Sequence, residues 1–144
     1  MSERGIVTCF ECGQRNRIET ERAGSAKCAT CGARLASGKV AELDPKTLAA
    51  AMGDEMPLVV DFWAPWCGPC RAMAPEFSKA AAQLSGQVRF AKIDTERFPQ
   101  VSQKFGIRGI PLLIRFERGR ETARQAGARP SVQIAEFAGQ GVRA

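Results

Sequence analysis

Two cysteines that directly follow an apolar run constrain this chain more than any other feature of its sequence. Residues 57–70 read PLVVDFWAPWCGPC, in which a single acid, Asp61, precedes Cys67 and Cys70. The run is typical of a buried strand, and the spacing of the cysteines places both thiols on the first turn of a following helix. The free N–H groups and positive dipole end of that helix favour a thiolate on Cys67, which we expect to be exposed. Two thiols placed in this way can form a disulfide and exchange it with others.

A second cysteine pattern lies near the N-terminus, where two CxxC pairs are separated by fifteen residues and each is followed by a glycine. Four thiolates at this spacing are typical of a tetrahedral zinc site, and the segment between them has too few apolar residues to fold without a metal. We therefore expect one structural Zn²⁺, with rubredoxin-like iron or a pair of redox disulfides as alternatives. Two roles for this module stay open: a structural ribbon that helps to dock partners, and a redox sensor that releases zinc on oxidation. We call these residues the four-cysteine cluster: Cys9, Cys12, Cys28 and Cys31.

Length and charge limit the classes of protein that need to be considered. The 144 residues, 44% hydrophobic and 25% charged, suit one soluble domain with a small appendage. The net charge of +6 is spread along the chain without a basic tail, which favours acidic protein partners over nucleic acid. We expect a cytoplasmic protein, because no signal-peptide or membrane-spanning segment is evident and three CxxC pairs suit a reducing compartment. The chain has no histidine, which excludes imidazole-based catalysis.

Strand and helix patterns alternate along the rest of the chain. Asp44 and Pro45 are predicted to begin a helix, Pro75 lies inside a helix that runs from residue 68 to about 84, and residues 88–93 and 111–116 are apolar strands. The order β-α-β-α-β-α-β-β-α predicts an α/β fold with a central mixed sheet and helices on both faces. We expect residues 1–36 to form the four-cysteine module and residues 37–144 to form the α/β domain.

Over residues 38–144 these features resemble the thioredoxin family. Residues 66–70, WCGPC, match that family's active-site motif, and the four-cysteine module makes the chain similar to the zinc-binding bacterial thioredoxin 2 subgroup. The resemblance implies a thioredoxin fold preceded by a small zinc-ribbon-like module. Leu112 departs from the threonine usual in the family, which leaves substrate preference open. The further matches are Asp61, Trp63, Pro75, Lys92, Pro111 after Gly109 and Ile110, Gly119 and Gly127.

The resemblance implies a protein-disulfide reductase that is recharged by an NADPH-dependent thioredoxin reductase and binds no organic cofactor. Cys67 is the expected attacking thiolate, and Cys70 is the expected resolving thiol. Asp61 is the candidate base for Cys70, because burial raises the pKa of a carboxyl towards neutrality, and an ion pair with Lys92 on a neighbouring strand moderates that rise. Alternatively, Asp61 is a structural acid whose hydrogen bonds are made by Lys92 or water. For Lys92 the alternative is a solvated strand residue.

An apolar rim beside the dithiol is the expected substrate-binding surface. The Ile110–Pro111 bond is predicted to be cis, so that the backbone of Ile110 is presented to an extended substrate chain; the alternative is a trans proline that begins an edge strand. Trp66 has two interpretations, as part of the docking surface or as a core residue, whereas Trp63 fits the core. We expect a monomer. The predicted substrate-binding residues are Trp66, Gly68, Pro69, Ile110, Pro111 and Gly127.

Three other functions remain as alternatives. The four-cysteine cluster suits a zinc-dependent oxidative-stress sensor or holdase. A nucleic-acid-binding ribbon is the second, although acidic side chains interleave with the basic ones between the two cysteine pairs. An oxidase or isomerase is the third, against which the Gly68-Pro69 pair between the cysteines argues, since it resembles the strongly reducing members of the family.

Overall fold

The computed structural model describes residues 4–139, and the outer ends of both expected domain ranges lie outside these residues. Strand β1 (Arg4–Thr8) and strand β2 (Arg15–Glu19) form an antiparallel hairpin, which a 3-10 helix at Thr20–Ser25 follows. The sequence analysis did not predict this hairpin. In β2 only Asn16 and Ile18 are buried, and an alternation of two residues is too short to recognise as a strand.

A five-stranded mixed sheet forms the centre of the second part, as the sequence predicts. Its strand order is β3-β5-β4-β6-β7, in which β3, β5 and β4 run parallel and β6 and β7 are antiparallel to their neighbours. The chain therefore begins with parallel crossovers and finishes with a hairpin before its last helix. The elements are β3 (Ala41–Glu42), α1 (Pro45–Ala51), β4 (Leu58–Trp63), α2 (Gly68–Gln83), β5 (Arg89–Asp94), α3 (Gln100–Phe105), β6 (Leu112–Glu117), β7 (Arg120–Ala126) and α4 (Ser131–Ala138).

Local sequence signals explain where the helices begin and end. The side chain of Asp44 accepts a hydrogen bond from the Thr47 N–H at 2.7 Å and so caps α1, while Pro45 occupies its first turn. Gly106 ends α3 in the left-handed conformation, with φ of 65°, which a side chain would disfavour. Pro75 lies inside α2 as predicted. None of the helices in residues 4–139 has the length and apolarity that crossing a membrane requires.

Helices cover both faces of the sheet and leave the central strand buried from both sides. On one face Leu48 of α1 and Val101 of α3 pack with Val60 of β4. On the other face Phe77 of α2 and Ile134 of α4 pack against the sheet. Strand β4 is therefore buried along nearly its whole length, and it leads directly to the cysteines at the start of α2.

Candidate active site and metal site

The dithiol lies where β4 passes into α2. Cys67 is the N-cap residue of α2 and Cys70 is in its first turn, with their Cα atoms 5.2 Å apart and their sulfurs joined in a disulfide. The Cys70 N–H donates a hydrogen bond to the Cys67 sulfur at 3.2 Å. In the reduced state the same N–H and the helix dipole would stabilise negative charge on Cys67 rather than on Cys70.

The expectation that Cys67 is exposed was wrong. Its accessible fraction is 4%, against 2% for Cys70, because Cys67 packs in a small cluster with Ala64 and with the partly buried Trp63 and Ile110. Within the motif Trp66, Gly68 and Pro69 are exposed, and Trp66 is the large side chain among them, at 66% accessible. The helix start therefore presents an aromatic surface, and the sulfurs lie just beneath it.

A rim of backbone and apolar groups lies beside the dithiol. The Ile110–Pro111 bond is cis, as the sequence predicts, and the Ile110 carbonyl lies 3.9 Å from the Cys67 sulfur. The Gly127 N–H donates to the Pro111 carbonyl at 3.0 Å, which ties the end of β7 to this turn. Gly68 and Pro69 are exposed at the start of α2. The structure thus brings the predicted substrate-binding residues around the Cys67 sulfur.

Asp61 is buried in the middle of β4, on the strand that leads to Cys67. Its accessible fraction is 3%, and its Oδ1 atom has no hydrogen-bond partner among the described residues. Burial raises the pKa of Asp61 to about 7, and the positive charge of Lys92 opposes that rise. Asp61 and Lys92 are paired residues in the parallel β4–β5 ladder. A carboxyl with this pKa can accept and donate a proton near neutral pH.

Lys92 moderates the pKa of Asp61 from a distance, and the predicted ion pair between the two does not form. Its Nζ lies 3.5 Å from the Oε1 of Glu42 and 4.5 Å from the centroid of the Trp63 ring. Strand β5 lies between β3 and β4, so Lys92 is paired with Glu42 on one side and with Asp61 on the other, and its ammonium contacts the exposed carboxylate of Glu42 rather than the buried one of Asp61. Sequence analysis missed Glu42, because a two-residue edge strand gives no signal of its register.

Asp61 and Cys70 both line a cavity of about 580 Å³. The indole Nε1 of Trp63, another buried polar atom without a partner among the described residues, belongs to a residue of its lining. Water can enter a cavity of this size where the unpartnered polar atoms of Asp61 and Trp63 offer it hydrogen bonds, so the same solvent can reach both Asp61 and Cys70. The residues that line it and bear on this chemistry are Asp61, Trp63, Cys70 and Lys92, together with Gly38, Lys39 and Val40 of the connection to the first part.

The four-cysteine cluster is assembled as a candidate metal site. All four sulfurs lie within 4.8 Å of one another, and two sulfur pairs are 3.6 Å apart. Tetrahedral coordination with bonds of about 2.3 Å requires sulfurs about 3.8 Å apart, so the observed spacing fits such a site. Gly13 and Gly32 each donate an N–H to the carbonyl of the first cysteine of their pair at 2.9 Å, with φ near 80°, which a glycine adopts readily. Cys9 and Cys28 are buried, whereas Cys12 and Cys31 are exposed.

A buried ion pair, which the sequence analysis missed, joins the first part to the sheet. Arg89 of β5 and Asp54 are each 2% accessible in their side chains, and their Nη1 and Oδ2 atoms are 3.1 Å apart. Arg89 also donates to the carbonyls of Leu35 at 2.8 Å and Thr8 at 2.6 Å, and its guanidinium lies 3.6 Å from the centroid of the Phe10 ring. The Thr8 N–H and hydroxyl donate to Asp54 at 2.7 and 2.9 Å. The polar atoms of this contact are therefore well paired.

Comparisons with known proteins agree with the fold and with both cysteine sites. The model of the family described as "Thioredoxin" matches residues 39–140, and the model described as "Thioredoxin 2, N-terminal", a zinc ribbon, matches residues 8–33. Thioredoxin C-3 of Corynebacterium nephridii is 36% identical over 137 residues, which cover 94% of each chain. Thioredoxin 1 of a Nostoc species is 40% identical over 85 residues, 59% of this chain and 79% of the relative. The crystal structure of a chloroplastic thioredoxin z, 33% identical, superposes with a TM-score of 0.65 over 71% of this chain and 93% of that one.

Proposed function

The chain belongs to the thioredoxin family and is a thiol-disulfide oxidoreductase, and from that premise we propose that it is a cytoplasmic protein-disulfide reductase. The observation that carries the proposal is the position of Cys67 at the N-cap of α2, where its sulfur accepts a hydrogen bond from the Cys70 N–H. This arrangement stabilises the thiolate of one cysteine and keeps the other within reach of it.

In the proposed reaction the Cys67 thiolate attacks one sulfur of a substrate disulfide and forms a mixed disulfide, and the other substrate sulfur leaves as a thiolate. Cys70 then loses its proton and attacks the Cys67 sulfur, which releases the second substrate thiolate and leaves the Cys67–Cys70 disulfide. Two electrons pass from the protein to the substrate. An NADPH-dependent thioredoxin reductase, the partner that the family implies, would restore the dithiol.

Asp61 is proposed as the base that takes the proton of Cys70 through water in the shared cavity. Its raised pKa, about 7, suits proton transfer at neutral pH, and its Oδ1 is free of protein partners among residues 4–139. Lys92 limits the rise in that pKa by its charge. Substrate chains are proposed to lie against Trp66, Gly68, Pro69, Ile110, Pro111 and Gly127.

The four-cysteine cluster is proposed to bind one Zn²⁺ in a module of residues 1–36, ahead of a thioredoxin domain of residues 37–144. The sulfur spacing and the four-thiolate donor set fit zinc in a closed structural site. When bound, the metal would supply folding free energy to a segment that has only a small core. Metal analysis of the purified protein tests this assignment, with one equivalent of zinc as the expected result and iron or no metal as the result against it.

The exposure of Cys12 and Cys31 favours a second candidate function, an oxidative-stress sensor or holdase that uses the cluster. That function predicts that mild peroxide releases the metal and exposes apolar surface before the dithiol loses activity. If the dithiol is inactivated first, the sensor function is excluded and the reductase remains.

Trapping the intermediate tests the reductase directly. A Cys70→Ser variant should accumulate a mixed disulfide with an oxidised protein substrate, because nothing resolves it, whereas the matched Cys67→Ser variant should not. Equal trapping by both variants would contradict the assignment of Cys67. The reduction potential of the wild-type dithiol gives the direction of the reaction: thioredoxin itself serves as the reference at about −270 mV, against about −180 mV for protein disulfide isomerase.

A further inference from the structure

We propose that this protein prefers disulfide substrates in which acidic residues flank the reacting cysteine, and that Arg108 and Arg129 select them. The inference rests on the proposed reductase function and adds the chemical class of its substrates. The inference comes from the charged side chains around the apolar surface beside the dithiol, because that surface itself contains no feature that distinguishes one substrate sequence from another.

The groove beside the cis-proline is the place where a substrate chain would meet these charges. It is a cavity of about 330 Å³ whose lining includes the backbone of Ile110, Pro111 and Gly127. The Ile110 carbonyl at its edge is 3.9 Å from the Cys67 sulfur. Two arginines, Arg108 and Arg124, line the groove, and its lining contains no aspartate or glutamate. A chain placed here would therefore have its neighbouring side chains in a basic environment.

Of the two arginines that line the groove, Arg124 already pairs with a carboxylate of this chain. Its Nε and Nη2 lie 2.7 and 2.8 Å from the two carboxylate oxygens of Glu121, and its Nη2 also donates to the Phe105 carbonyl. Bidentate pairing of this kind satisfies the guanidinium and leaves it little capacity for a substrate carboxylate. Selectivity for acidic substrates therefore depends on the arginines that have no such carboxylate partner.

Three exposed arginines around the dithiol have no carboxylate within 4.0 Å among residues 4–139, and we call them the arginine rim: Arg71, Arg108 and Arg129. Arg129 donates to the Ala126 carbonyl at 3.2 Å, one residue before Gly127, and Arg71 donates to the Pro65 carbonyl at 3.2 Å, two residues before Cys67. Both are therefore held against the backbone of the site. A guanidinium offers a planar pair of donors that match a carboxylate.

The arginine rim places positive charge where it would meet carboxylates close to the reacting cysteine of an extended substrate chain. Arg71 follows Cys70 in α2, whereas Arg108 and Arg129 lie towards the cis-proline and the end of β7. Complementary charges of this kind raise association rates and disfavour partners of like charge, and they do so mainly at low ionic strength. A lysine-flanked disulfide would meet repulsion at the same positions.

The test uses the reduced, metal-bound full-length protein and three disulfide peptides that differ only in their flanking residues, which are glutamate, glutamine or lysine. Single-turnover rate constants are measured for wild type and for Arg108→Gln/Arg129→Gln. Arg71 is left in place, because its replacement next to Cys70 would disturb the dithiol itself. The matched control, Arg17→Gln/Arg120→Gln, removes the same charge from an exposed site on β2 and from the far end of β7.

We expect the wild type to reduce the glutamate peptide about three to ten times faster than the lysine peptide, with the glutamine peptide between them. The ratio should fall at least twofold in Arg108→Gln/Arg129→Gln, in which Arg71 remains, should approach one at high salt, and should persist in the control variant. Equal rates for the three peptides in the wild type, or an unchanged ratio in Arg108→Gln/Arg129→Gln, would overturn the inference and leave the reductase function intact. Failure to reduce any of the peptides would instead overturn the proposed function, and the inference with it.

Discussion

Replacing Asp61 with asparagine removes a buried ionisable group from the centre of the sheet and keeps nearly the same side-chain shape. Asp61 is 3% accessible and accepts no hydrogen bond at Oδ1 from the described residues, so its ionised form is poorly solvated. In the unfolded chain the same carboxyl is hydrated and ionises normally. Folding at neutral pH therefore requires either burying this charge or taking up a proton, and the asparagine variant avoids both.

The size of the effect follows from the two pKa values. Burial raises the pKa of Asp61 from 3.8 to about 7, and at about 1.36 kcal/mol per pH unit this difference amounts to about 4 kcal/mol. Because the folded-state value is the higher one, the stability is fully present below the unfolded pKa and is lost as the pH rises to about 7. Roughly 2 kcal/mol of the loss falls between pH 5 and pH 7, where the unfolded carboxyl is ionised and the folded one releases its proton only as the pH approaches 7.

Urea unfolding of the oxidised, metal-bound proteins between about pH 5 and pH 8 measures this effect. Wild type should lose stability relative to Asp61→Asn as the pH rises, and the difference should level off above about pH 7. Asp44→Asn is the matched control: the hydrogen bond from Thr47 lowers the pKa of Asp44 below its usual value, so Asp44 stays ionised throughout this range and its variant should differ from wild type by an amount that does not change with pH. A difference between wild type and Asp61→Asn that does not change with pH would refute the reasoning, since Asp61 would then ionise equally in both states.

Three further predictions concern groups around this centre. Arg89→Met should lower the free energy of unfolding by about 3–5 kcal/mol because Asp54 is left buried without its cation, and Arg89→Met/Asp54→Asn should recover part of that loss; equal stabilities of the two variants in urea unfolding would contradict this. Glu42→Gln should release Lys92 towards Asp61 and lower the pKa of Asp61, so that the pH dependence described above moves to lower pH; an unchanged midpoint would show that Glu42 does not hold the lysine. Removing the metal with a chelator should abolish hydrogen-exchange protection in β1 and β2 while β4 remains protected, and unchanged protection in the hairpin would show that this segment folds without it.

The sheet and its helices were predictable because each element carries a local signal. The cap at Asp44, the glycine at 106 and the apolar run before Cys67 each mark an element boundary, and the structure agrees with them closely. The hairpin of β1 and β2 carries no such signal. Its two buried residues in β2 do not form a recognisable pattern, and the four-cysteine cluster lies in its turn and in the segment that follows it.

The parts of the candidate site that sequence analysis missed depend on pairings between distant segments. The position of Lys92 is a property of the strand order, which places Glu42 beside it, and no sequence spacing specifies that neighbour. The burial of Cys67 likewise comes from packing against Ile110, which is 43 residues away. Spacing predicted the pairing of Cys67 with Cys70, and the family resemblance predicted the cis-proline beside them, whereas exposure and charge partners required the tertiary structure.

The contact between Arg89 and Asp54 has a further consequence, which concerns orientation. An apolar interface between the first part and the sheet would tolerate small rotations, because hydrophobic burial has no preferred direction. Arg89 instead requires the carbonyls of Thr8 and Leu35 at fixed positions, and Asp54 requires the N–H and hydroxyl of Thr8. Any other docking would keep the ion pair but leave its remaining donors and acceptors without these hydrogen bonds, at a cost of about 1–3 kcal/mol for each group that stays buried. The hydrogen bonds of Arg89 and Asp54 therefore favour a single orientation of the four-cysteine module on the thioredoxin domain.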